Sequence, residues 1–183
     1  MKIDIDSGIV QEARLQMSPN CDLRPDEKDI SLVVIHGISL PPGQFGHHYI
    51  DQLFTNQLNP NEHPYFKKIE GLKVSSHLLI RRDGELVQYV PLHKRAWHAG
   101  VSCYEDRNCC NDFSIGIELE GEDETPYTDS QYNVLSHLLK SLIDAYPALT
   151  TKTIAGHSDI APGRKTDPGK AFDWPRLETL LLI

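Results

Sequence analysis

The run Ser31-Leu32-Val33-Val34-Ile35-His36-Gly37 marks the centre of the predicted fold. Its four consecutive apolar residues favour a strand that is buried on both faces, as in the middle of a sheet. The strand ends at His36, and the carboxyl ends of such strands are where open sheets usually build their sites. The alternative for His36 is a histidine that only hydrogen-bonds to nearby backbone.

A second strand is predicted from Phe113 to Gly121, where apolar residues alternate with small or polar ones. The apolar residues are Phe113, Ile115, Ile117 and Leu119. Gly116 and Glu118 lie on the opposite face, and a glycine within a strand indicates that another group approaches closely. The alternative for this face is exposure to solvent, which suits Glu120 better than Gly116 and Glu118.

The other segments predict a mixed α/β arrangement. Asp83-Gly84 between two β-rich runs predicts a hairpin, helical spacing predicts a helix from Phe45 to Phe54, and Thr128 to Gln131 forms a capping box that begins another helix. A short strand from Lys152 to Gly156 and a closing helix near Trp174 complete the pattern. We expect an α/β single domain with a central mixed β-sheet flanked by helices on both faces.

Composition and charge restrict the partners. The chain has 183 residues and a net charge of -8, which argues against nucleic acids and anionic membranes. Its first residues are acidic and no apolar run reaches the length of a membrane span, so we expect a cytoplasmic protein. We also expect it to be a monomer. The stretch 67–107 carries eight basic against five acidic residues. It is either a receptor for a small anionic ligand, with Lys73 as a candidate, or scattered surface charge.

The loop that follows the strand ending at Gly156 contains His157, Lys165 and Asp167. His157 and Asp167, together with His36, give the two imidazoles and one carboxylate that a hydrolytic Zn²⁺ site uses, with one position left for water. Zinc lowers the pKa of such a water to about 7. Glu118 is suited to take the water's proton, and the Lys165 ammonium to stabilise the oxygen that gains charge. Nine histidines allow other combinations.

The stretch from Arg95 to Gly100 places Trp97 and His98 beside small residues. This composition suits a wall against which a ligand packs, so both residues are candidate substrate contacts. Trp97 is equally well explained as part of the core.

Several motifs occur together in this chain: Leu32-Val33-Val34-Ile35-His36, Ser39-Leu40-Pro41-Pro42-Gly43, Arg81-Arg82-Asp83-Gly84, Arg95-Ala96-Trp97-His98-Ala99-Gly100, Cys110-Asn111-Asp112-Phe113 continuing to Gly121, Gly156-His157-Ser158-Asp159-Ile160-Ala161 and Lys165-Thr166-Asp167-Pro168-Gly169. In these the chain resembles the zinc-dependent N-acetylmuramoyl-L-alanine amidases, which are related to phage lysozyme-type amidases and peptidoglycan recognition proteins. The resemblance is greatest to those that act on 1,6-anhydro-muropeptides. It implies one zinc amidase domain over 1–183, with a core from about 19 to 174.

The resemblance also implies roles for individual residues. Zinc would be held by His36, His157 and Asp167, with Glu118 as general base and acid and Lys165 as stabiliser of the transition state. The implied reaction is hydrolysis of the amide between the lactyl group of 1,6-anhydro-N-acetylmuramic acid and L-alanine in muropeptides, during recycling of cell-wall peptidoglycan.

Among the motif residues, Asn111 is a further candidate substrate contact. Two positions depart from the resemblance, because close relatives often have Asn where this chain has Gly37 and Arg where it has Cys109. These departures concern contacts with the sugar and the peptide carboxylate, whereas the zinc and catalytic positions are intact.

Two alternatives to an enzyme remain open at this stage. One is a non-catalytic module that binds peptidoglycan fragments. The other is a purely structural zinc, which requires a fourth protein ligand that closes the site.

Overall fold

The computed structural model describes residues 1–182, which form twelve strands and five α-helices. The strands are β1 (Ile3–Asp4), β2 (Ile9–Val10), β3 (Arg14–Leu15), β4 (Cys21–Leu23), β5 (Leu32–Ile38), β6 (Leu78–Ile80), β7 (Leu86–Gln88), β8 (Lys94–Ala96), β9 (Cys103–Tyr104), β10 (Arg107–Asn108), β11 (Ser114–Glu120) and β12 (Ile154–Gly156). The helices are α1 (Tyr49–Phe54), α2 (Pro64–Lys68), α3 (Asp129–Ala145), α4 (His157–Ile160) and α5 (Trp174–Leu182).

A six-stranded mixed sheet forms the centre, in the order β12-β5-β11-β6-β7-β3. Strands β12, β5, β11 and β6 are parallel, whereas β6 and β7 form the antiparallel hairpin that Asp83-Gly84 predicted. Strand β5 lies between β12 and β11, and residues 32–36 are all buried. The prediction of a central strand is therefore confirmed.

One face of the sheet is covered by α3 and α5. Thr128 caps α3 by accepting from Gln131 N–H, and the Gln131 side chain bonds back to Thr128 N–H. The apolar stripe of α3 packs against the alternating side chains of β5 and β11, among them Ile35 and Ile117, which are fully buried. The capping box and the alternation therefore predicted this packing correctly.

The opposite face, called here the site face, carries α1, α2 and α4. Phe54 of α1 and Phe66 of α2 pack with Leu79 and Tyr89 in a separate cluster. The helix predicted from Phe45 begins only at Tyr49, since Gly46 has a positive φ of 80°. Helix α2 was not predicted. Helices on both faces, and thus the α/β fold class, are confirmed.

No helix in residues 1–182 combines the length and apolar character that crossing a bilayer requires.

Candidate metal centre and cavity

Three parallel strands bring His36, Glu118 and His157 to one end of the sheet. Glu118 on β11 pairs in register with His36 on β5, so both side chains project from the same face. Strand β12 pairs Gly156 with Ile35, and His157 follows directly as the first residue of α4. The sequence predicted these strands, although β5 continues two residues beyond His36, to Ile38. The parallel register explains why the three side chains meet.

His36, His157 and Asp167 form a compact group of metal donors. The Nδ1 atoms of the two histidines lie 2.9 Å apart, and Asp167 Oδ2 lies 3.3 Å from His36 Nδ1 and 3.0 Å from His157 Nδ1. Donors placed tetrahedrally at zinc-ligand distances lie about 3.3 Å from one another. Within residues 1–182, no fourth His, Cys, Asp or Glu joins this group. The donor set therefore fits a zinc ion with one position left open.

The protonation states of these donors also favour binding of a cation. Burial lowers the pKa of His36 to about 4, which leaves its imidazole neutral near pH 7. Burial opposes ionisation of Asp167, but the adjacent imidazoles of His157 and His36 outweigh it and hold the pKa of that carboxyl below its usual value. Metal ligands must be unprotonated to bind, so the pKa shifts of His36 and Asp167 favour binding of an ion.

The loop that carries Asp167 is fixed at two points. Ser158 N–H donates to the Asp167 carbonyl at 2.9 Å, and the Tyr127 hydroxyl donates to the Pro168 carbonyl at 2.9 Å. Tyr127 also lies over Gly37, where a Cβ atom would meet the phenol oxygen. The phenol therefore occupies the space beside Gly37, and sequence reasoning missed Tyr127 because its contacts are distant along the chain.

A cavity of about 680 Å³ opens onto these donors. One wall is apolar and comes from the connection between β5 and β6; its residues include Leu40, Leu53, Phe54, Tyr65, Ile69 and Val74. The lining also includes the acidic residues Glu122, Asp123 and Glu124, together with the metal donors, Glu118 and Lys165. The cavity therefore combines an apolar surface with charged groups.

Glu118 is the carboxylate of the cavity that has a buried oxygen without a hydrogen bond among the described residues. It is 9% exposed, and its Oε2 atom is buried without a hydrogen bond. Burial raises the pKa of Glu118 well above its usual value, the Asp167 charge adds to this, and Lys165 opposes it. Such a group holds a proton more readily than an exposed carboxyl does.

The four predicted substrate contacts lie in different places. His98 lines the cavity, whereas Lys73 is exposed and lines a neighbouring pocket of about 100 Å³. Trp97 and Asn111 are not among the lining residues of either pocket. Asn111 instead accepts hydrogen bonds from backbone at His98 and Ala99. The structure thus brings the metal donors, Glu118, Lys165 and His98 together and leaves the other three outside the cavity.

Comparison with known proteins agrees with this geometry. Residues 26–170 match the N-acetylmuramoyl-L-alanine amidase family. The 1,6-anhydro-N-acetylmuramyl-L-alanine amidase AmpD of Citrobacter freundii is 58% identical over 177 residues, which cover 97% of this chain and 94% of that protein.

Solved structures give the same relationship. The crystal structure of a selenomethionine derivative of AmpD superposes with a TM-score of 0.95 at 57% identity and covers 99% of both chains. The amidase AmiD from E. coli, in complex with the substrate anhydro-N-acetylmuramic acid-L-Ala-D-gamma-Glu-L-Lys, has a TM-score of 0.59 at 26% identity, covering 94% of this chain and 60% of that one.

Proposed function

Because the chain belongs to the N-acetylmuramoyl-L-alanine amidase family, we propose that it hydrolyses the amide bond between the lactyl group of 1,6-anhydro-N-acetylmuramic acid and L-alanine in muropeptides. Its extensive similarity to an amidase of that specificity supports the choice of substrate. The observation that carries the proposal is the donor group of His36, His157 and Asp167 beside an unpartnered Glu118 in one cavity.

Zinc is the proposed cofactor, held by His36, His157 and Asp167. Two neutral imidazoles and one carboxylate are a ligand set that catalytic zinc uses. When bound, the ion would supply Lewis-acid activation of water and polarisation of the substrate carbonyl. A fourth protein ligand, which a structural zinc would need, is absent from the group among residues 1–182.

Glu118 is the proposed general base and acid. Its free Oε2 accepts a proton from the attacking water while the water oxygen forms a bond to the lactyl carbonyl carbon. The carbon then loses its bond to the alanine nitrogen, and Glu118 returns the proton to that nitrogen. The raised pKa of the buried carboxyl favours its acceptance of the proton from water.

Lys165 is proposed to stabilise the transition state. Its side chain is exposed to the cavity, and the sequence places it two residues before Asp167. An ammonium held at this position attracts the carbonyl oxygen as it gains negative charge. The apolar wall from Leu40 to Val74 would receive the less polar part of the substrate and exclude water from the reacting bond.

The test is turnover of a defined anhydro-muropeptide by the purified protein, with and without zinc, compared with intact peptidoglycan. We expect zinc-dependent release of the peptide with a free L-alanine amine, and a preference for the anhydro-muropeptide. Binding of the substrate by the zinc-loaded protein without any turnover would contradict the proposal and indicate a binding module.

The proposal also includes a role in cell-wall recycling, a cytoplasmic location and a monomeric state. Cell fractionation with an antibody against the protein tests the location. Light scattering at micromolar concentration tests the oligomeric state, for which we expect about 21 kDa from the mass of 20.7 kDa.

A further inference from the structure

The outer nitrogens of both metal-donor histidines point at consecutive residues of one short segment. His36 Nε2 lies 2.9 Å from Nδ1 of His98, and His157 Nε2 lies 3.2 Å from the carbonyl oxygen of Ala99. The inner nitrogens, both Nδ1, face Asp167. One segment therefore contacts both imidazoles at the nitrogen that faces away from Asp167.

The contact at Ala99 determines which nitrogen of His157 is protonated. A carbonyl oxygen only accepts hydrogen bonds, so Nε2 of His157 carries a proton, and in the neutral ring Nδ1 then keeps its lone pair. That lone pair is what a metal ion requires. The Arg164 guanidinium also donates to this carbonyl at 2.6 Å, which fixes its position.

The contact at His98 likewise leaves Nδ1 of His36 available to a metal ion. Ser114 Oγ donates to the Cys110 carbonyl at 2.5 Å, so it accepts from Nε2 of His98 at 3.2 Å. With its proton on Nε2, His98 presents the lone pair of Nδ1 to His36. Nε2 of His36 then donates to it, and Nδ1 of His36 is free for the metal. The chain of hydrogen bonds is consistent from the Cys110 carbonyl to the metal position.

Two further residues hold the segment in place. Asn111 Oδ1 accepts from His98 N–H at 3.1 Å and from Ala99 N–H at 2.8 Å. Gly116 leaves room for the imidazole of His98, because a Cβ atom there would lie 2.5 Å from its Cγ. The close approach that the sequence predicted at Gly116 is therefore made by His98.

We propose that His98 and the Ala99 carbonyl, held by Asn111, orient His36 and His157 as Nδ1 ligands of the metal. His98 is thus a positioning residue, and Asn111 acts through it rather than on the substrate. This inference rests on the proposed zinc site. It assigns to His98 and Ala99 a role in metal retention, in addition to the place of His98 in the lining of the cavity.

The first test compares His98→Leu with His98→Asn, two side chains of nearly equal shape. Asn offers an oxygen near the position of Nδ1, whereas Leu offers no acceptor. Zinc affinity is measured by competition with a chromophoric chelator. We expect His98→Leu to bind zinc roughly 10- to 100-fold more weakly and His98→Asn to recover much of the loss. Unchanged affinity in His98→Leu would overturn the proposal.

The second test uses Asn111→Ala with Asn20→Ala as its control. Asn20 is also an internal amide, but it bonds the carbonyls of Phe54 and Val74 and the side chain of Asn56. Both variants should lose thermal stability, and only Asn111→Ala should lose zinc affinity. Equal zinc affinity in the two variants would count against the role of Asn111. The His98 pair still decides the proposal if either variant fails to fold.

Kinetics at saturating zinc separates positioning from substrate contact. We expect His98→Leu to lower kcat with little change in KM. A raised KM together with normal zinc affinity would instead show that His98 binds the substrate. Zinc binding by the wild-type protein without turnover would refute the proposed function, but the affinity contrast between the His98 variants would still decide this inference.

Discussion

Some residues of the site could be predicted from the sequence and others could not. His36, Glu118 and His157 were predictable because each ends or lies within a clearly patterned strand. The partners of the metal donors were not, since the contacts of His98 with His36 and of Asn111 with the backbone join distant residues. Periodicity shows which face a residue occupies, but not which nitrogen of a histidine its neighbour will fix.

Glu118→Gln tests the proposed base with the smallest change in shape. The amide cannot accept the water's proton, so we expect kcat to fall by about 10²- to 10⁴-fold. Zinc affinity should change little, because Glu118 is not among the donors. Steady-state kinetics and chelator competition measure the two effects, and near-normal kcat would exclude Glu118 as the base.

Lys165→Met tests the proposed cation. Removing one stabilising donor from a developing oxyanion costs on the order of 10²- to 10³-fold in kcat. The residue is exposed, so the melting temperature should stay within a degree or two of wild type. Lys170→Met is the control, since Lys170 is an exposed lysine of the same loop region that pairs with Glu124. An equal effect of both substitutions would argue against a specific role.

Lys73→Ala tests capture of the anionic peptide by a local cation. Lys73 is exposed, next to Leu72 and Val74 of the cavity wall. The net charge of -8 repels an anion at long range, so we expect KM to rise by up to about fivefold, as loss of one surface charge contact implies. Lys68→Ala is the control. Unchanged KM and an unchanged response to salt in Lys73→Ala would remove this role.

At the scale of elements, capping residues and alternation predicted α3, β5 and β11, because these are long and strongly patterned. Helix α2 has only five residues, and its signals are local: His63 accepts from Tyr65 N–H, and Pro64 stands at the first helical position. Short elements of this kind depend on tertiary packing, here of Phe66, which is fully buried. The sequence alone therefore predicted the long strands and α3 but not α2, which contributes Tyr65 to the cavity wall.

His77 joins three elements and should make the fold sensitive to acid. Its Nδ1 accepts from Gly116 N–H at 3.0 Å and its Nε2 donates to the Lys94 carbonyl at 2.9 Å, an arrangement that only the neutral ring allows. Burial, with the nearby charge of Arg24, lowers the pKa of His77 from 6.5 to about 3.

Because the pKa in the folded state lies below the unfolded value, the unfolded chain binds this proton first. The contribution of neutral His77 to the free energy of unfolding is therefore fully present above pH 6.5 and is lost as the pH decreases toward 3. Urea unfolding of the chelated protein at several pH values measures this. His77→Asn should be less stable at pH 7 and show a weaker pH dependence than wild type; an identical slope would contradict the assignment.

At the scale of the whole molecule, the metal donors connect the sheet to the loop that follows α4. His36 belongs to β5, His157 begins α4, and Asp167 comes ten residues later. The parallel order of β12, β5 and β11 could not be read from the sequence, because periodicity does not specify which strands are neighbours. Once that order is given, the meeting of the predicted residues follows.

Zinc removal should lower the stability of the whole domain. Zinc present at a hundred times its dissociation constant stabilises the folded state by about 2.7 kcal/mol, so chelation should lower the melting temperature by several degrees. Calorimetry with and without chelator measures the shift. Asp167→Asn removes one donor and should be insensitive to chelator, and a wild-type midpoint unaffected by chelation would show that no stabilising metal binds.

The apolar wall of the cavity has its own hydrophobic cluster, built on α1 and α2 and separate from those beneath β5 and α4. Side chains of the wall can therefore repack after a substitution without moving His36, Glu118 or His157, which lie on the sheet and at the start of α4. This separation makes the protein evolvable. New fragments could be accepted by exchanging the segment from Leu40 to Val74, while the reaction chemistry is inherited unchanged.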